Sequence, residues 1–124
     1  MVFTASRLSR ALVFIAAMAT APAVFAHAHL KSQSPAANAE VTTAPQALTL
    51  NFSEGIEPKF SGVTVTGAQQ QSIKTGAVKR SEQDKAQMIV PLEQALQPGN
   101  YTVDWHVVSV DGHKTRGTYT FTVK

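Results

Sequence analysis

The sequence contains no cysteine among its 124 residues, and this absence removes several functions at once. Without thiols the chain has no disulfide framework, no thiolate metal site and no cysteine nucleophile. A domain of roughly 100 residues can still bury enough apolar surface to fold without cross-links. We therefore expect one domain that is held together by the packing of its side chains.

Strong basic charge is also lacking once the first 26 residues are set aside. The whole chain has 11 Lys and Arg against 8 Asp and Glu. Arg7 and Arg10 lie in that first segment, which has no acid, so the remainder has 9 basic residues against 8 acidic ones and a formal charge of +1. No basic run or basic-aromatic stripe survives, which argues against nucleic acid as a partner.

Long apolar runs are missing apart from a short one near the start. Residues 11–17 are apolar, follow the two arginines, and precede a small-x-small pattern at Val24-Phe25-Ala26. Such a run is too short to cross a bilayer, which takes about 20 apolar residues, but it is typical of a secretory signal peptide. We predict that residues 1–26 are cleaved and that residues 27–124 form an exported domain without membrane insertion.

The cleavage site decides which residue becomes the first of the mature chain. Small-x-small patterns also permit cleavage before Val24 or before His29. We favour the cut after Ala26, with the cut after Ala28 as the second choice. The favoured cut makes His27 the amino-terminal residue.

The rest of the chain alternates apolar and polar residues with a period of two, which predicts half-buried strands. Turn residues such as Pro98-Gly99-Asn100 separate these segments. The only stretch that favours helix is 81–96, where a short turn of helix would fit near its end. Short strands at this spacing predict an all-β sandwich or barrel. The inward faces are expected at Leu48, Leu50 and Phe52; Val63 and Val65; Met88, Val90 and Leu92; Tyr101, Val103, Trp105 and Val107; and Tyr119, Phe121 and Val123.

An amino-terminal His27 would be a preset chelating group. Its α-amine, with an ordinary pKa of about 7.7–8.0, and its Nδ1 can close one ring around a divalent ion. His29 offers another mode, in which the amine, two amides and the third imidazole surround Cu(II) or Ni(II). The alternative to a metal site is that His27 and His29 belong to a solvated, frayed terminus.

A second cluster, Asp111-Gly112-His113, places a carboxylate and an imidazole on either side of a glycine. Gly112 would let the backbone fold so that both groups converge. The competing interpretation is an ordinary type I′ hairpin turn, for which Asp-Gly is a preferred pair. The remaining histidine, His106, is expected on the surface near Asp104.

The segment 27–36 (HAHLKSQSPA), the stretch 48–54 (LTLNFSE) and the run 98–113 (PGNYTVDWHVVSVDGH) resemble the CopC family of periplasmic copper-resistance proteins. The resemblance covers essentially the whole mature chain. It implies a Greek-key β-barrel or sandwich, Ig-like and cupredoxin-like, of about seven to nine short strands. It also implies one Cu(II) per chain, bound by the amine and imidazole of His27 together with Asp111 and His113.

The sequence departs from some family members in its methionines. Those members bind Cu(I) through a methionine-rich loop, whereas Met88 is the only methionine after residue 26 and fits a strand pattern. We therefore expect no dedicated Cu(I) site. His29 is not among the ligands that the resemblance carries over, but it could orient the site or act as a fallback ligand.

Together these expectations describe a monomeric carrier that sequesters or transports Cu(II) in the periplasm and is not an enzyme. The resemblance implies an inner-membrane copper-transport protein of the CopD type as a partner. One alternative is a copper oxygenase, which also uses an amino-terminal histidine chelate. The other is a metal-free Ig-like interaction module.

Overall fold

The structure, a computed structural model, describes residues 28–124. The predicted signal peptide, its cleavage site and His27 lie outside these described residues. Within 28–124, no helix has the length and apolar character needed to cross a membrane.

Nine strands in the described part of the chain form two sheets. The first sheet has the order β1-β3-β7-β6 and the second the order β2-β9-β8-β4-β5. Only β2 and β9 run parallel; the other pairs are antiparallel. This confirms the predicted all-β sandwich. The strands are β1 (Leu30–Ser34), β2 (Glu40–Val41), β3 (Ala47–Phe52), β4 (Gly62–Gly67), β5 (Ser72–Ile73), β6 (Lys79–Arg80), β7 (Gln87–Pro91), β8 (Gly99–Val108) and β9 (Lys114–Val123).

The core lies between the sheets and is built from the alternating residues that predicted the strands. Met88, which the sequence assigned to the core, is fully buried. Phe52 of the first sheet meets Trp105 of the second edge-to-face, with ring centroids 5.3 Å apart. Such a pair stabilises a core by about 0.5–1.5 kcal/mol beyond the area that it buries. The Trp105 ring lies over Gly117, where an added Cβ would come within 2.6 Å of ring atom Cζ2.

The only helical turn in 28–124 is a 3₁₀ turn at Pro58–Phe60, not the turn expected near the end of 81–96. Extended pairing continues past β7, because the N–H of Leu92 donates to the carbonyl of Gln46 at 2.9 Å. A proline opens the 3₁₀ turn, where its fixed φ fits the first helical position. The turn closes on Ser61, whose Oγ donates to the Glu57 carbonyl at 2.8 Å.

Strands β8 and β9 form the longest hairpin, paired from Gly99 and Val123 at its base to Val108 and Lys114 at its far end. Residues 109–113 connect the two strands. The term "hairpin tip" refers to these five residues from here on. The cluster Asp111-Gly112-His113 lies in it.

Candidate metal centre

The backbone of the hairpin tip differs from the type I′ turn that Asp-Gly suggested. A type I′ turn needs positive φ at both central residues. Here Gly112 has φ +90°, whereas Asp111 is not among the residues with positive φ. The N–H of Gly112 donates to the Ser109 carbonyl at 2.8 Å, and the N–H of Ser109 donates to the His113 carbonyl at 2.9 Å. The result is a wider loop, with a carboxylate and an imidazole on either side of one glycine.

Ser109 is fully buried beneath the loop and organises it. Its Oγ donates to Oδ1 of Asp111 and accepts from the N–H of His113 at 3.2 Å. The same N–H also lies 3.3 Å from Oδ1 of Asp111. One hydroxyl therefore fixes both the carboxylate of Asp111 and the backbone of His113.

Asp111 and His113 are brought together as side chains. Oδ2 of Asp111 lies 3.1 Å from Nδ1 of His113, and both side chains are partly exposed to solvent. The Ser109 hydroxyl, followed by the hydrogen bonds and charge of His113, lowers the pKa of Asp111 to about 2 against the opposing effect of desolvation. Asp111 is therefore an anionic oxygen donor over the whole physiological pH range.

The chain enters the fold beside this loop. Ala28 is buried in the core, and its carbonyl accepts a hydrogen bond from Oγ1 of Thr115 at 2.9 Å. The N–H of His29 donates to Oγ of Ser53 at 2.8 Å, and the N–H of Ser53 donates back to the His29 carbonyl at 2.8 Å. Residue 28 is thus tied to β9 within two residues of His113.

Glu54 also belongs to this neighbourhood, although it is not among the predicted site residues. Ser53 pairs with His29, and the Gly55 carbonyl accepts from the N–H of Val110 in the hairpin tip at 3.0 Å. Oε1 of Glu54 is buried and has no hydrogen-bond partner within 28–124. Buried carboxylate oxygens normally have a partner. No local sequence pattern separates such a residue from a solvated turn acid.

The structure brings no third candidate ligand to Asp111 and His113 within residues 28–124. No three His, Asp or Glu side chains in residues 28–124 are close enough together to hold a metal ion. Of the three predicted ligands, the structure brings together Asp111 and His113, while His27 lies outside the described residues. His106 is exposed on the outer face of the second sheet, as expected, opposite Arg116 of β9.

Residues 30–124 match the family model of the CopC domain. The chain belongs to the CopC family. It is 60% identical to "Protein YobA" of Escherichia coli strain K12 over 124 residues, which is the full length of both chains. It is 41% identical to "Copper resistance protein C" of Escherichia coli over 114 residues, 86% of this chain and 89% of that one.

The fold of this CopC-family chain is also found in a solved relative. The crystal structure of PcoC from Escherichia coli, described as a methionine-rich copper resistance protein, superposes with a TM-score of 0.70 at 39% identity. It covers 80% of this chain and 100% of the PcoC chain. Beyond residue 26 this chain has only Met88, which packs in the core.

Proposed function

We propose that this CopC-family protein binds one Cu(II) ion between its mature amino terminus and the hairpin tip. It would sequester or carry the ion in the periplasm. The observation that carries the proposal is the hydrogen bond between the Ala28 carbonyl and Thr115, because it ties the start of the domain to the strand that follows His113. Consecutive Cα atoms are about 3.8 Å apart, so a ligand at position 27 would begin close to that loop.

The proposed donors are the amine and Nδ1 of His27, the Asp111 carboxylate and the His113 imidazole. Three nitrogens and one oxygen in a tetragonal array suit Cu(II), and the Irving–Williams order favours copper over the other divalent ions at such ligands. Asp111 needs no proton removed at neutral pH, since its pKa is already about 2. Glu54 precedes Gly55, whose carbonyl contacts the hairpin tip, and positive charge brought to this neighbourhood would stabilise its orphaned buried oxygen.

The preference for Cu(II) over Cu(I) follows from the same donor set. Soft thioether and thiolate ligands select Cu(I). The chain has no cysteine, and Met88 is fully buried in the core, away from solvent. We therefore propose no dedicated Cu(I) site, in contrast to what a methionine-rich relative would support.

A carrier role is favoured over a copper oxygenase. Such an enzyme needs open coordination positions for oxygen, and Asp111 and His113 would fill them here. Relatives of this chain are named for copper resistance. The partner would be an inner-membrane copper-transport protein of the CopD type, and the domain would act as a monomer after cleavage of residues 1–26.

Electron paramagnetic resonance with one equivalent of Cu(II) tests the proposal directly. We expect a tetragonal spectrum with three nitrogen donors. His113→Ala should remove one nitrogen and weaken binding by at least a hundredfold in a competition titration, while His106→Ala, on the outer face of the sheet, should change neither. Glu54→Gln should shift the spectrum without changing the nitrogen count. Equal losses for His113→Ala and His106→Ala would place the ion elsewhere.

A further inference from the structure

The outer face of the second sheet carries a groove beside the hairpin tip. It has a volume of about 740 Å³ and lies between the ends of β8 and β9 and the 3₁₀ turn. We call it the basic groove. It is lined by Phe60, His106, Val107, Val108, Lys114, Thr115 and Arg116.

One wall of the basic groove is an exposed aromatic ring. Phe60 stands on the 3₁₀ turn with 65% of its surface exposed, and Val110 of the hairpin tip is the other large apolar side chain left open in 28–124. The N–H of Glu57 donates to the Val108 carbonyl at 2.8 Å and fixes the 3₁₀ turn against β8. Exposed aromatic residues at fixed positions are enriched where proteins bind one another.

The floor of the groove is positively charged. Lys114 and Arg116 point outward from alternate positions of β9, and His106 lies opposite Arg116 on β8. Lys59 adds a further cation next to Phe60. Within the described residues, none of these three Lys and Arg side chains forms an ion pair.

Three acidic residues lie nearby, Glu57, Asp104 and Asp111 of the hairpin tip, and none of them lines the groove. Oδ1 of Asp104 accepts from Oγ1 of Thr118 at 2.6 Å, and no Lys or Arg of the described chain lies within ion-pair distance of Asp104 or Glu57. The domain as a whole is close to neutral. The lining itself has two cations and no acid, which favours a partner of opposite charge.

We propose that the basic groove docks an acidic, extended segment of a partner protein that carries one apolar side chain. Alternate residues of an extended chain are about 7 Å apart on one face, which matches the spacing of Lys114 and Arg116 along β9. Carboxylates at alternate positions would pair with these two cations, and the apolar side chain would cover Phe60. The docked segment would lie beside Asp111 and His113, so it would be placed to exchange copper, a consequence that rests on the proposed function.

Fluorescence anisotropy with a labelled peptide tests the docking. The probe is a ten-residue peptide with glutamate at alternate positions and one central phenylalanine, titrated with the purified protein at low salt. We expect saturable binding that Lys114→Glu and Arg116→Glu each weaken at least tenfold and that Phe60→Ser weakens several-fold. The matched control is Lys79→Glu on β6 of the other sheet, which makes the same charge change and should leave the affinity unchanged.

Three results would overturn the docking proposal. The first is that Lys79→Glu and Lys114→Glu weaken peptide binding equally. The second is that a peptide with serine in place of phenylalanine binds as well as the probe. The third is that phosphatidylglycerol vesicles bind in place of the peptide, with the same dependence on Lys114 and Arg116. Circular dichroism of each variant verifies that it is folded. The titration is run with and without Cu(II), and peptide binding is expected in both. A protein that binds the peptide but no copper would reject only the proposed function, and the reverse would reject only the docking.

Discussion

Ser109 shows how a single buried hydroxyl can position two candidate metal ligands. Its side chain is fully buried, yet its Oγ reaches both the Asp111 carboxylate and the backbone N–H of His113. A buried hydroxyl without partners costs about 1–3 kcal/mol, so these contacts also satisfy the serine itself. The orientation of the two candidate ligands is thus fixed before any ion arrives.

Replacing Ser109 tests this role at the level of one pKa. In Ser109→Ala the largest cause of the depressed Asp111 pKa is lost, so the value should rise from about 2 toward the ordinary 3.8. Carbon-detected nuclear magnetic resonance of the Asp111 carboxyl across pH 1.5–6 measures the change. Because the folded pKa lies below the unfolded one, this carboxylate stabilises the fold above about pH 4, and the contribution disappears as the pH falls toward 2. Ser109→Ala should therefore lose less free energy of unfolding between about pH 4 and pH 2 than the wild type loses.

Thr118→Ala is the matched control for the serine variant. It removes a hydroxyl from the same hairpin, but one that donates to Asp104 instead. The Asp111 pKa should not move in this variant. An Asp111 pKa that stays near 2 in Ser109→Ala would show that the contacts with His113 alone keep this pKa low.

Strands β8 and β9 each place one tyrosine in the core, and the two hydroxyls differ in their hydrogen bonding. Tyr101 donates its hydroxyl to the Gln97 carbonyl at 2.5 Å. The Tyr119 hydroxyl is buried without a partner in residues 28–124, and burial raises its pKa to about 12. The same side chain therefore has opposite consequences for stability on two neighbouring strands.

Tyr119→Phe should leave the free energy of unfolding unchanged or raise it by about 1 kcal/mol, because it removes an unsatisfied buried hydroxyl. Tyr101→Phe, the matched control, should lower it by about 0.5–1.5 kcal/mol, since it removes a hydrogen bond. Urea unfolding at pH 7 measures both. The unfolded state loses the Tyr119 proton from about pH 10 upward while the folded state keeps it, so wild-type stability should fall between pH 10 and 12. Tyr119→Phe should show a shallower fall, and a clear loss of stability in that variant would reveal a partner for the hydroxyl.

The elements that could be predicted from sequence are those long enough to show a period. The faces of β3, β7, β8 and β9 follow from alternation, because a half-buried strand must place every second side chain in the core. The strands β2, β5 and β6 have two residues each, which is too short for any period. The prediction of a helical turn near the end of 81–96 is wrong. Pro58 and the C-cap Ser61 determine where the turn forms, whereas the composition of 81–96 does not.

At the scale of the whole molecule, the candidate site joins the two ends of the domain. The bond between the Ala28 carbonyl and Thr115 links residues 87 positions apart in the chain. No local pattern predicts such a contact, and only the family resemblance suggested it. Asp111 and His113 could be proposed from their spacing. Ser109 matters because it is buried and Glu54 because one of its carboxylate oxygens is, and sequence spacing reveals neither.

Processing of the chain gives the last prediction. Cu(II) should raise the melting temperature of a protein that begins at His27, and a hundredfold excess over Kd corresponds to about 2.7 kcal/mol. One glycine added before His27 separates the amine from the imidazole and breaks their chelate ring, so the increase should largely disappear. His29→Ala in the unextended protein is the control, because a square of amine, amides and third-residue imidazole would depend on His29, whereas the proposed site would not. An undiminished increase in the extended protein would exclude the His27 chelate, and its loss in His29→Ala alone would show that His29 takes part in binding. No increase in any form would favour a metal-free interaction module.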